Sequence, residues 1–78
     1  MTEYPNMALK NLDAVLLTLT ECSDIYCANR CETMASCGAS MFNAADGKCS
    51  LARDYCLIIG NVSNSFVRVK AGGKLLFF

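Results

Sequence analysis

The chain has no histidine and only one proline, and neither sign of charge is in excess: seven Lys+Arg residues balance seven Asp+Glu. The absence of histidine and of net charge each excludes something. Without histidine a cysteine nucleophile lacks its usual base, and a zinc site lacks a frequent ligand. A formal net charge of zero gives no electrostatic footprint for nucleic acid, which is bound mainly by neutralising phosphates. It also leaves no polybasic segment for anionic lipid. Long apolar runs are missing too. The longest such stretch is AVLLTLT at residues 14–20, whereas a membrane span needs about 20 residues. Glu3 and Asp13 are wrongly placed for a signal peptide. The stretch therefore reads as a strand, and a secretion signal is expected to have been removed. No repeat or low-complexity tract is present.

What is abundant is cysteine. Six cysteines in 78 residues approach the density of a disulfide scaffold, and a domain this small often needs covalent staples. The 54% hydrophobic content is high for a soluble domain and suggests a surface that buries against something. Length allows one domain. Residues 1–13 read as a polar N-terminal arm, 14–70 as the domain, and 71–78 as a C-terminal hairpin strand or assembly arm.

The pattern of elements is mixed α and β. AVLLTLT, rich in Val, Leu and Thr, suits a strand of the central sheet. Ser23 followed by Asp24 marks a helix start, with the acid near the positive end of the helix dipole. Cys27, Cys31 and Met34 then share one helical face, and Gly38 can end the helical region. Asp46-Gly47 is a two-residue turn signal. It sets Ala45 opposite Lys48, Ala44 opposite Cys49, Asn43 opposite Ser50 and Phe42 opposite Leu51, with Phe42, Ala44, Cys49 and Leu51 on one face. CLIIG at 56–60 reads as a short buried strand or packed loop, and NVSNS as a loop. A second hairpin is expected around Gly72-Gly73, with Val69 against Leu76 and Val67 against Phe78. Leu75 and Phe77 would then lie beside Lys70 and Arg68 on the other face, leaving a terminal strand apolar on both sides.

The cysteine spacing C-x4-C-x3-C-x5-C-x11-C-x6-C has neither the C-x2-C knuckle of zinc sites nor the C-x-x-C of a thioredoxin-like redox pair. Three structural disulfides in an oxidising compartment remain. Six cysteines allow fifteen connectivities. Cys27 and Cys31 lie on consecutive helical turns, where a mutual bond would constrain little, so each is expected to reach a different strand. A short loop can join Cys31 to Cys37, and an inward Cys49 can meet Cys27. Cys22 and Cys56 are left over, to pair with each other or to link two chains.

The polar cap, CANRC at 27–31, Cys37, an aromatic-bearing strand and then DGKC-SL together resemble the PAN/apple domain family over residues 14–70. The resemblance implies an α+β fold, a small disulfide-stapled domain with one helix packed on a curved antiparallel β-sheet. It implies core disulfides Cys27–Cys49 and Cys31–Cys37. A third bridge, Cys22–Cys56, would complete a nested pattern, although these two positions depart from the usual apple ones. It also implies protein or carbohydrate binding rather than catalysis.

The residues themselves agree in offering no catalytic group. Glu21 and Asp24 read as capping charges and not as an acid pair, and no cofactor or metal is expected. The leading expectation is a secreted, non-catalytic module that recognises an extracellular protein or glycan. Its interaction candidates are Tyr26, Arg30, Arg53, Tyr55 and Arg68, since Tyr and Arg are favoured at interfaces. The alternative is a structural subunit that polymerises into an extracellular filament through Leu75, Leu76, Phe77 and Phe78, by adding a strand to a neighbour's sheet edge. A weaker third reading is a secreted inhibitor or toxin-like effector. Asn61-Val62-Ser63 is a candidate N-glycosylation sequon.

Overall fold

The computed structural model describes residues 2–10, 12–53, 57–70 and 75–77. In chain order these form β1 (Thr2–Leu9), a 3-10 turn (Leu12–Ala14), β2 (Val15–Thr20), α1 (Asp24–Glu32), β3 (Cys37–Asn43), β4 (Lys48–Arg53), β5 (Leu57–Val69) and β6 (Leu75–Phe77). One helix packs on a sheet of order β1-β5-β3-β4-β2 whose neighbours are all antiparallel, and β6 joins β5 in parallel. The class is α+β, disulfide-stapled.

The helix begins where the residues say it should. Ser23 is the N-cap in extended backbone, and its Oγ accepts from Tyr26 N at 3.4 Å. Asp24 occupies the first turn and Arg30 the last, which suits both ends of the helix dipole. The helix ends at Glu32 with Thr33 as C-cap. Gly38, expected as the terminator, is instead a buried residue of β3. The disulfide between Cys31 and Cys37 already turns the chain between helix and strand, so no glycine is needed there.

The β3–β4 connection corrects the expected hairpin. Asn43 pairs with Lys48 and Phe42 with Cys49, so the turn spans the four residues Ala44–Gly47 and the register differs by two from expectation. A two-residue turn of the favoured type needs positive φ at both central positions, and only Gly47 has it (73°). Side chains close the longer turn: Asn43 Oδ1 accepts from Ala45 N at 2.9 Å, and Asp46 Oδ1 accepts from Lys48 N at 3.0 Å. Because the side-chain period in a strand is two, this shift keeps Phe42, Cys49 and Leu51 on one face, in one buried cluster.

β1 replaces the expected N-terminal arm. It pairs along β5 from Thr2↔Val69 to Leu9↔Ile59, with an irregularity between Pro5 and Met7. Asn6 (φ 55°) and Asn64 (φ 63°) adopt left-handed backbone at this place, a conformation Asn tolerates better than most residues. NVSNS, expected as a loop, is therefore carried within β5 as a bend. Beyond it, Leu9 N lies 3.2 Å from Met41 Sδ, which sets the end of β1 over the β3 face that points away from the helix. The sheet so curls over itself and encloses a second buried cluster that includes Leu9, Ala39, Leu57, Ile59, Val67 and Val69.

The C-terminal hairpin is also corrected. Leu75, Ile58's partner Leu76, and Phe77 run parallel to the start of β5, with Leu57↔Leu75 and Ile59↔Phe77. Val69 pairs with Thr2 on one side and Ala39 on the other, and Val67 with Tyr4 and Met41. Both edges of this half of β5 are occupied, so no third strand can add to it. AVLLTLT forms β2 over Val15–Thr20, a strand of the sheet as expected, and it lies at the sheet's edge.

Candidate functional site

Two disulfides lie between the helix and the sheet. Cys27 joins Cys49 on β4 and Cys31 joins Cys37 at the start of β3, with Cα separations of 5.5 and 5.2 Å. All four cysteines are buried and pack with Phe42 and Leu51, flanked by Leu19, Met34 and Phe66. Helical spacing turns Cys27 and Cys31 inward together, and that fixes which residues of α1 turn outward. Ile25 and Tyr26 are 60% and 56% exposed. The result is a rigidly held helix presenting an aliphatic and an aromatic side chain to solvent.

Ion pairs frame this face. Arg68 on β5 reaches Asp24 at the helix start and Glu3 on β1, both at 3.0 Å. One guanidinium thereby ties three elements together. Arg30 Nε donates to Glu21 Oε2 at 2.6 Å, and Arg53 donates to the Asp13 carbonyl at 3.4 Å. The three arginines are thus each held by different groups. Tyr26 and Arg30 share the exposed helix, Arg68 borders its first turn, and Arg53 lies at the far end of β4 opposite Cys37. Leu75, Leu76 and Phe77 are strand residues within the chain's own sheet. Tyr55 and Phe78 lie outside the described residues.

Cys22 is an exposed free thiol. The expected Cys22–Cys56 bridge involves Cys56, which lies outside the described residues. Cys22 stands two residues past β2 and just before the cap, while both core bridges are complete without it. Asn61 and Ser63 of the sequon are both exposed on the bend of β5.

Residues that the sequence reading missed are Ile25, Leu16 and Leu17. The two leucines, 40% and 36% exposed, lie on β2, whose outer edge carries no strand among the described residues. Their signal was the uncharged run itself, but the run does not say whether its strand is flanked on one side or two. Among the described residues no group of three or more His, Cys, Asp or Glu is placed to hold a metal ion, and no helix is long and apolar enough to cross a membrane. Two formed disulfides point to a non-reducing environment. Compared with known proteins, the chain matches no family model, no curated protein and no solved structure.

Proposed function

We propose that the chain is a non-catalytic, extracellular PAN/apple-like module that recognises a protein or a carbohydrate through the outer face of α1. One observation carries the reading: Ile25 and Tyr26 stay more than half exposed on a helix fixed by two buried disulfides. A large side chain held rigidly in water costs little entropy to dock, and tyrosine gives both an apolar face and a hydroxyl. Arg30 stands on the same helix and supplies charge. The test is binding of the disulfide-intact monomer to panels of glycans and extracellular proteins. Saturable binding that Tyr26→Ala weakens at least tenfold, with the fold unchanged, supports the reading. Binding indifferent to Ile25, Tyr26 and Arg30 would overturn it.

A second reading has its own observation. A structural subunit that assembles with copies of itself needs an open pairing surface, and β2 offers one. The C-terminal strand is an edge of the same kind among the described residues, since β6 pairs with β5 of its own chain as β2 pairs with β4.

A further inference from the structure

Two of the sheet's edge strands, β1 and β2, are built differently. β1, at one edge, carries Glu3, Pro5 and the left-handed Asn6. A charge, a proline and an irregularity are the devices that keep an edge from pairing with strangers. β2, at the other edge, reads VLLTLT and contains no charge and no proline. Its single irregularity lies between Val15 and Leu17, and pairing with β4 is regular from Leu17 to Thr20. Two of the four exposed large apolar side chains among the described residues, Leu16 and Leu17, sit on it.

We infer that β2 pairs antiparallel with β2 of a second copy of this chain, about a two-fold axis at Thr18. This rests on the self-assembly reading above and gives it a surface. An open ladder edge accepts only an extended strand, and a neutral, apolar one when it is itself neutral and apolar. β2 meets that requirement, whereas β1 does not. The faces then select the register. Leu17 pairs with Leu51 and Leu19 with Cys49, so both leucines lie on the helix side, with the disulfide cluster. Thr18 pairs with Ser50 and meets its Oγ at 3.3 Å, on the opposite side. Centring on Thr18 sets Leu17 against Leu19 of the other copy and Thr18 against Thr18, with Leu16 against Thr20 on the threonine face. Sliding by one residue would oppose Leu17 to Thr20 and mix the faces. Centring on Leu19 would oppose Leu17 to Glu21. In the chosen register Asp13 and Glu21 fall opposite Ser23 and Val15, so no like charges meet. The interface is isologous and closes at two copies.

The test uses a cysteine at the axis. Directly opposed residues of an antiparallel pair have Cα atoms about 4.5–5.5 Å apart, within reach of a disulfide. In a Cys22→Ser background, Thr18→Cys is expected to oxidise to a covalent dimer in which peptide mapping finds residue 18 joined to residue 18. Leu16→Cys in the same background, opposed to Thr20, is expected to give at least tenfold less. Leu17→Lys is expected to abolish association while both core disulfides form. Should Thr18→Cys fail to fold, amide exchange of the unaltered protein decides, with protection of residues 16–20 rising with concentration. A chain that stays monomeric at all concentrations overturns this interface and the assembly reading together. A chain that assembles without an 18–18 link and without protection of β2 overturns the interface alone.

Discussion

Removing the Cys27–Cys49 bridge as a pair of alanines should destabilise the domain more than removing Cys31–Cys37 in the same way. The four cysteines are 0–1% exposed, so the packing lost with two sulfurs is similar in both variants. What differs is the loop each bond closes. The sequence separations are 22 and 6 residues, which correspond to about 3.4 and about 2.2 kcal/mol of unfolded-chain entropy. The gap of about 1.2 kcal/mol amounts to roughly 5–10 °C in melting temperature for a domain this small. Against a total stability of about 4–12 kcal/mol for this length, either loss is large. The helix stands to suffer most from the first, since Cys27–Cys49 crosses from α1 to β4 whereas Cys31–Cys37 only joins neighbours in sequence. Thermal and urea melts followed by circular dichroism would measure both variants. Equal midpoints, or a lower one for the Cys31–Cys37 variant, would refute the argument that loop closure ranks these staples.

Gly47→Ala should cost about 1–2 kcal/mol, because φ of 73° is left-handed while space for the added carbon is ordinary; Gly47→Asn should cost less, and urea midpoints would rank them. Arg68→Ala should lose about 1–2 kcal/mol by releasing Asp24 and Glu3, whereas Arg30→Ala, whose side chain is 63% exposed, should fall within about 0.5 kcal/mol of the parent; a midpoint for Arg68→Ala as small as that of Arg30→Ala would remove the clamp from the account. Alkylation of the unreduced protein should label Cys22 and spare Cys27, Cys31, Cys37 and Cys49, as peptide mass mapping would show. Secretion from a eukaryotic host should add an N-glycan at the exposed Asn61, seen as a mass increment lost in Ser63→Ala and kept in Ser63→Thr.

Much of the fold was legible because its signals are local. The Ser23 cap, the inward pair Cys27 and Cys31, and the strand character of 15–20 each depend on a few neighbouring residues. The resemblance to PAN/apple domains supplied the two bridges, and the structure forms both. The failures have different causes. Asp46-Gly47 looked like a tight turn, but Asn43 and Asp46 found backbone donors that favour a longer one. Gly72-Gly73 looked like a hairpin, but the strand it would extend was already flanked on both sides.

The sequence by itself determined the class: a neutral, histidine-free, cysteine-rich chain with one short helix and strands rich in Val, Leu, Ile and Phe. Composition and short-range spacing suffice for that, because capping, turning of cysteines to one face and alternation act within a few residues. Only the tertiary structure decided which strand is an edge. β1 and β5 bend together at Asn6 and Asn64, close the sheet over its own apolar face, and β2 is left with no strand on its outer side among the described residues. An edge is a property of what lies beside a strand, and backbone hydrogen bonds between strands carry no sequence label. VLLTLT would read the same at the centre of the sheet, where it would be core, as at its rim, where it becomes a surface for another chain.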